Sequence, residues 1–379
     1  MTKNKIYDIA IVGGGLAGLA LAIQSAKAGY DVILFEKETY PFHKVCGEYV
    51  SMESWDFIES LGLQLKTLNL PLITKLNITA PNGKMIETNL LLGGFGISRY
   101  LLDNDLFKIA KMLGVQVQQS TKVDDVTFDN NIFSVTTSLH NIQAKIVAGS
   151  FGKRSNLDIK WNRNFAIKKR NKLNNYIGIK YHVQTNLPSN LISLHNFKNG
   201  YCGISKIEDN KYCLCYLTTA KQLKQNNNSI KLLEENILYK NKALKSIFEN
   251  ATFLFEQPCT IAQISFDKKE TVANHILMLG DAAGMITPLC GNGMSMALHS
   301  SKIAFKQIEL FLESKITRNK MEFAYQKEWE NAFSNRMYAG RIIQNFFGKT
   351  WVTNLFIQCM EPFNKTISWL VKQTHGTPF

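Results

Sequence analysis

The sequence predicts an α/β protein: a mostly parallel sheet wound with helices, interleaved with an α+β unit on an antiparallel sheet, and C-terminal helices. Three observations carry this. Residues 6–12 form a nearly continuous apolar run that meets an Ala- and Leu-rich helical segment, 16–29, at Gly13-x-Gly15-x-x-Gly18. A second apolar strand, 31–35, ends at Glu36. Far downstream, the apolar run 276–279 ends in Gly280-Asp281 and precedes Pro288-Leu289-Cys290-Gly291-Asn292-Gly293-Met294. Strands buried on both faces read as continuous apolar runs, and a glycine-rich turn between strand and helix is the phosphate corner of a Rossmann-type unit.

Each element has a physical reason. Gly13 permits the tight turn, Gly15 lets the backbone approach a pyrophosphate, and Gly18 lets the helix pack on the strand. The helix N-terminus adds free N–H groups and positive dipole. Glu36 stands where a carboxylate accepts hydrogen bonds from a ribose diol, and its charge would repel a 2′-phosphate. Gly280-Asp281 sits at the carboxyl end of its strand, where ligands of open α/β sheets collect. The Pro/Gly turn after it opens a helix, 293–312, and aims N–H groups at the same place. Two half-sites so far apart fit a long cofactor that is phosphorylated at its centre and held at both ends, namely FAD.

The remaining pattern fills in the fold. A helix near 51–61 leads to strands at 73–80 and 84–90, joined by the turn Pro81-Asn82-Gly83. A helix at 101–113, a strand at 115–119 and a small meander (123–128, 132–138, 143–148) return to the first sheet. Alternating strands then follow at 176–184, 191–196, 201–206 and 211–218, with helical segments over 229–249. The tract Lys221–Ser229, with three consecutive asparagines, reads as a loop. The expected division is an FAD-binding domain (1–72, 97–172, 270–313), a β-sheet substrate domain (73–96, 173–269) and a helical C-terminal region (314–379).

Composition narrows the class. With 379 residues, 45% hydrophobic and 20% charged, the chain is globular and large enough for a sizeable core. No run of eighteen apolar residues occurs, and the first strand starts too early for a signal-peptide layout, so a cytoplasmic protein is expected. Seven cysteines without regular spacing read as reduced thiols, and no metal site is expected. Cys213 and Cys215 alternate along one strand face and read as core packing. The net charge of +14 concentrates locally at Arg163, Lys168, Lys169, Arg170 and Lys172, but no nucleic-acid module accompanies it. A solvated basic loop accounts for it, alongside attraction to anionic substrates, carrier proteins or lipid headgroups.

On these motifs the chain resembles FAD-dependent oxidoreductases of the para-hydroxybenzoate hydroxylase superfamily, within it the geranylgeranyl reductase-like subgroup. Pro41-Phe42-His43-Lys44-Val45-Cys46-Gly47-Glu48, Ser98-Arg99 before Leu102-Asp103, and the C-terminal Tyr325, Trp329, Phe333 and Arg336 add to the likeness. It covers about 1–155 and 270–345 well and the middle loosely. The resemblance implies a Rossmann-type FAD domain of the GR2 type. It implies cofactor contacts from Gly13, Gly15, Leu16, Ala17, Gly18, Glu36, Lys37, Lys44, Cys46, Gly47, Arg99, Val123, Gly280, Asp281, Pro288, Gly291, Asn292, Gly293 and Met294. Asp281 would take the ribityl and pyrophosphate part, and the 288–294 stretch the isoalloxazine ring. One departure stands out. Many hydroxylases carry an Asp-Gly motif serving FAD and NAD(P)H, but here Ala148-Gly149-Ser150-Phe151-Gly152 has Phe151 in place of the Asp. Lys153 and Arg154 beside it read equally as a phosphate contact or a solvated loop.

The resemblance implies two competing reactions on a hydrophobic small molecule. The first is reduction of a carbon–carbon double bond in an isoprenoid, lipid or polyketide-type substrate by hydride from reduced FAD. The second is hydroxylation through a flavin hydroperoxide. Cys46-Gly47-Glu48, the loosely reductase-like strand Gly200–Lys206 and the lost Asp favour reduction. The Trp-x-Trp-x-Ile-Pro sequence of tryptophan halogenases is absent, which argues against halogenation. The external donor would be NAD(P)H or a reduced electron carrier, and the substrate free or carrier-protein-bound. The candidate catalytic residues are Cys46, Glu48 and Tyr201. Each has a plainer reading: Cys46 as a buried small hydrophobe, Glu48 as a helix-start acid, Tyr201 as a strand core residue. His43 and Lys44 read as FAD contacts or as a surface turn. Phe346, Phe347, Trp351, Phe356, Phe363 and Trp369 read as helix packing, a lipid tunnel or a peripheral contact at the inner membrane face. A non-catalytic flavin redox sensor and a basic nucleic-acid binder are the readings from other classes.

Overall fold

The computed structural model describes residues 5–167, 175–264, 266–346, 349–360 and 375–379. One sheet runs Val272–Ala273, Ile276–Met278, Asn141–Gly149, Ile6–Val12, Val32–Phe35, Gln116–Gln118 in spatial order. Its four inner pairings are parallel, with Ile9 beside both Val32 and Ile146. The helices Leu16–Lys27, Arg99–Met112 and Gly293–Leu312 pack on it, which explains why Ile9, Ala10 and Ile11 are fully buried and why these strands do not alternate. The hairpin Val123–Asp129/Ile132–Thr137 extends the sheet through Asn141–Gly149.

The second sheet has the order Thr252–Phe253, Tyr176–Gln184, Tyr212–Thr219, Gly200–Lys206, Leu191–Phe197, Leu72–Thr79, Met85–Gly96, Tyr49–Ser51, and Cys259–Ile264 also pairs with Tyr176–Gln184. Its central strands send alternate side chains to opposite faces. Ile177, Ile179, Tyr181 and Val183 face Leu233, Leu244, Ile247 and Phe248 of the covering helices. The intervening positions 178, 180 and 182 face the first sheet, as do Tyr201, Gly203, Cys213, Cys215 and Leu217 on neighbouring strands.

Two expectations need correction. The tract Lys221–Ser229 is not all loop: Ala220–Gln225 is helical, capped by the Thr219 side chain accepting from the Gln222 N–H. Lys and Gln favour helix once a cap is present, and the loop shrinks to the asparagines, where Asn227 and Asn228 take left-handed backbone at φ 55° and 57°. The strand expected at 84–90 runs on to Gly96. Its last glycines allow close approach, since a Cβ at Gly96 would lie 1.8 Å from the Lys206 carbonyl oxygen.

Candidate functional site

A single cavity of about 1130 Å³ runs from the glycine-rich corner of the first sheet to the inner face of the second. At the corner, Gly13 has φ 106° and lies so close to the next loop that a Cβ would meet the Ser150 carbonyl oxygen at 2.4 Å. A Cβ on Gly18 would strike the Gly13 carbonyl oxygen at 2.1 Å. Gly15 is different. Its Cβ direction is empty, with only the Arg99 Nη2 and Lys44 Nζ near, at 3.8 and 3.9 Å. Open space beside a helix N-terminus and between two cations fits a pyrophosphate.

Those cations are held by a residue that carries no assigned role from the sequence. Asp103 is buried, accepts from Arg99 Nε and Nη2 at 2.7 and 2.8 Å, and accepts from Lys44 Nζ at 3.0 Å. Burial would raise its carboxyl, but Arg99 and Lys44 more than offset this and hold it below its ordinary value. The spacing of Asp103 four residues after Arg99 on one helix was the available signal. Glu36 is also buried and takes the Gly14 and Glu38 N–H groups at 2.9 and 3.1 Å, so it shapes the loop that it would share with a ribose. Leu16 and Ala17 form the first turn of the helix, while Lys37 and Val123 line the cavity.

Gly280, at φ 54°, and Asp281 lie across the cavity. Their turn is anchored from behind: Lys269 Nζ donates to the Asp281 carbonyl at 2.6 Å, and Arg163 to that of Ala282 at 3.0 Å. Arg163 is therefore a buried anchor, ion-paired with Asp158 at 2.8 Å, and not part of a solvated basic loop; Lys168, Lys169, Arg170 and Lys172 lie outside the described residues. Burial raises the Asp281 carboxyl despite Lys269, Arg99 and Lys153 nearby. Pro288, Gly291 at φ 63°, Gly293 and Met294 line the cavity beyond it; Asn292 stands at the N-cap position of the helix Gly293–Leu312 without a side-chain capping bond and is not among the lining residues.

The loop 41–48 closes the centre. His43 lies exposed on this turn, yet it stacks on Tyr100 at 4.6 Å and meets the His182 ring edge-on at 5.2 Å, and partial desolvation together with Lys180 pulls its pKa down to about 4. Glu48, at φ 56°, is fully buried and does not start a helix. It accepts from the Arg99 N–H at 2.8 Å and pairs with the buried Lys180 ammonium and with His182 Nε2 at 2.7 Å. Burial pushes its carboxyl up, but His182 and Lys180 reverse this and hold it low, so Glu48 is a fixed anion and not a proton donor at neutral pH. Lys180 also donates to the Lys44 carbonyl at 3.1 Å, tying the second sheet to the loop 41–48. Cys213 joins Glu48 and His182 in a group spaced for a metal, but the Lys180 ammonium already supplies the positive charge there. Lys180 and His182 were legible as polar residues at alternate positions of an apolar strand.

Cys46 lines the cavity, and burial raises its thiol; Gly47 lies beside it. Cys213 donates to the Cys46 carbonyl at 3.2 Å, whereas Cys215 faces the cavity. Tyr201 is buried at the apolar end, its hydroxyl has no hydrogen-bond partner among the described residues, and burial keeps it protonated. Around it stand Leu76, Ile78, Leu90, Ile192, Leu194, Leu217, Met285 and Leu289. Lys153 and Arg154 reach across to the strand Cys259–Ile264, donating to the Ala262 carbonyl and the Gln263 side chain. Both also line the cavity, Lys153 within electrostatic reach of Asp281. Of the C-terminal aromatics, Phe356 lines the cavity and Trp351 is exposed; Phe347, Phe363 and Trp369 and the Phe346 side chain lie outside the described residues. Tyr325, Trp329 and Phe333 are core residues, and Arg336 pairs with Glu53 at 3.3 Å.

Comparison with known proteins agrees with this geometry. The family model described as "FAD binding domain" matches residues 6–315, and the chain belongs to that family. It is 27% identical over 356 residues to the digeranylgeranylglycerophospholipid reductase of Methanocaldococcus jannaschii, covering 88% of this chain and 86% of the reductase. It is 23% identical over 376 residues to the 1H-pyrrole-2-carbonyl-[peptidyl-carrier protein] brominase of Pseudoalteromonas luteoviolacea, covering 94% and 88%. The solved structure of the flavin-dependent brominase Bmp2 superposes with a TM-score of 0.80 at 19% identity, covering 98% of this chain and 93% of that one. The protein is an FAD-dependent oxidoreductase related to both isoprenoid-lipid reductases and flavin halogenases. Lacking the tryptophan-halogenase motif thus does not separate it from halogenases of other kinds.

Proposed function

We propose that this enzyme reduces a carbon–carbon double bond in a hydrophobic isoprenoid, lipid or polyketide-type substrate. The observation that carries the reading is the continuity of the cavity: the corner lined by Gly15, Arg99 and Asp281 opens directly onto an apolar chamber under the second sheet. FAD held by the Gly13–Gly18 corner, Arg99 and Asp281 would supply hydride-transfer chemistry once reduced by NAD(P)H or a reduced carrier, with a proton needed at the second alkene carbon. The chain's residues do the rest. Gly203 and Cys215 are cross-strand neighbours at the centre of the sheet and leave a hollow where an alkene fits. The leucine and isoleucine walls exclude water, and Tyr201, kept protonated by burial at the apolar end of the cavity and with no hydroxyl partner among the described residues, is the candidate proton donor. The Glu48–Lys180–His182 knot holds the loop 41–48 in place. The likeness to a digeranylgeranylglycerophospholipid reductase and the Phe151 replacement support this reading.

A flavin halogenase or monooxygenase is the second reading, favoured by the likeness to the brominase. Anaerobic mixing of photoreduced protein with polyprenyl, enoyl and phenolic substrates separates the readings. Flavin reoxidation with a product two hydrogens heavier is expected. Reoxidation only on admitting oxygen, with hydroxylated or halogenated product, would overturn reduction, and failure on every substrate and with oxygen would point to a redox sensor.

A further inference from the structure

We infer that the face around the apolar mouth of the cavity docks on an anionic lipid surface. The helix Thr350–Met360 carries no charged residue along its length. It buries Thr353 and Ile357 and turns outward Trp351 and Leu355, 71% and 55% exposed and one turn apart. Surface helices of globular proteins place charged and polar residues on that side. Leu90, Ile342, Ile343 and Phe356 all line the cavity, so the strand Met85–Gly96 and the last two helices meet at one opening. Ile342 is also exposed and marks the rim. The sequence neighbour of Leu90, Leu91, is 72% exposed on the outside.

The surroundings decide the occupant. The turn before the strand reaches the helix through the Asn82 N–H donating to Asn354 Oδ1 at 3.3 Å. Exposed Lys84, Arg341 and Lys349 stand beside the uncharged helix and its opening, and the exposed Glu87 two turns of the pleat before Leu91 is neutralised by Lys75 at 3.0 Å, on a chain of net charge +14. Exposed apolar side chains that include a tryptophan, with cations beside them, match the layer between acyl chains and anionic headgroups. An acidic carrier protein would instead be met by cations at the centre of the patch. Docking is independent of which reaction the flavin performs, so its test stands apart from that of the proposed reduction.

The test is sedimentation of the FAD-loaded protein with phosphatidylcholine vesicles, alone or mixed with phosphatidylglycerol. Binding to the mixed vesicles, weakened by salt and accompanied by a blue shift of tryptophan fluorescence, is expected. The variant Trp351→Ser/Leu355→Ser should lower partitioning by roughly tenfold or more while keeping flavin content and thermal midpoint, as expected for losing the burial of two large apolar side chains. Leu91→Ser probes the same face from a different element and should weaken binding too. No binding to either vesicle, or binding unchanged in all variants, overturns the inference. So does capture of an acidic carrier protein through these residues without vesicle binding, or a native dimer that these variants dissociate.

Discussion

The Glu48 carboxylate and the Lys180 ammonium meet where solvent reaches neither, one from a left-handed turn beside the flavin loop and the other from the middle of a strand in the second sheet. Removing one partner strands the other. Lys180→Met should therefore cost about 3–5 kcal/mol of stability, and Lys180→Met/Glu48→Gln should recover much of it. Thermal and denaturant unfolding of the two variants check this.

The same pair sets an acid limit. Because the folded-state pKa of Glu48 is depressed, its stabilisation is fully present above the ordinary carboxylate value of 4.5 and is lost as pH falls through the lower folded value. The thermal midpoint of Glu48→Gln should accordingly fall less than that of the native chain on acidification. Parallel pH curves for both proteins would contradict the assignment.

Gly15→Val should give folded protein without flavin. Its backbone, φ −82° and ψ −175°, suits any residue, and no protein atom lies within 3.8 Å of the added Cβ. A yellow, fully loaded variant would refute the pyrophosphate position, and loss of fold would refute the claim that the space is kept for ligand.

Asp281→Ala should weaken FAD retention more than Glu36→Ala. Glu36 spends lone pairs on the Gly14 and Glu38 N–H groups, whereas Asp281 lines the cavity beside the turn 288–294. Loss of a charged hydrogen-bonding group of this kind is worth about 1.5–3 kcal/mol, roughly ten- to a hundred-fold in dissociation constant. Equilibrium dialysis of flavin reads the difference.

Tyr201→Phe should leave stability unchanged or raise it, since the hydroxyl is buried without a partner. Turnover should fall by about 10²- to 10⁴-fold if the hydroxyl serves proton delivery. Unaltered kcat with full FAD content would place Tyr201 with the core residues.

Much of the fold and of the cofactor corner is legible in the residues for a physical reason. Strands covered on both faces, such as 6–12 and 143–148, have no room for polar alternation. Glycines at a strand–helix corner mark a place where side chains would block a close approach of backbone or phosphate. The hidden parts depend on distance. Glu48 lies 132 residues from Lys180, and no local pattern records that pairing. The strand Cys259–Ile264 is an edge with mixed exposure, so it lacks a clear period. The helix Ala220–Gln225 was masked by the asparagines that follow it, although Thr219 is an ordinary cap.

The left-handed turn at Glu48 also orders the making of the protein. Its carboxylate fixes the Arg99 amide, and Lys180 fixes both that carboxylate and the Lys44 carbonyl. During synthesis the corner begun at Gly13 therefore waits for residue 180 to emerge, and then for residue 281. A chain ending before residue 180 would carry the glycine motif but lack both the Lys180 tie to Glu48 and the Asp281 side of the cavity.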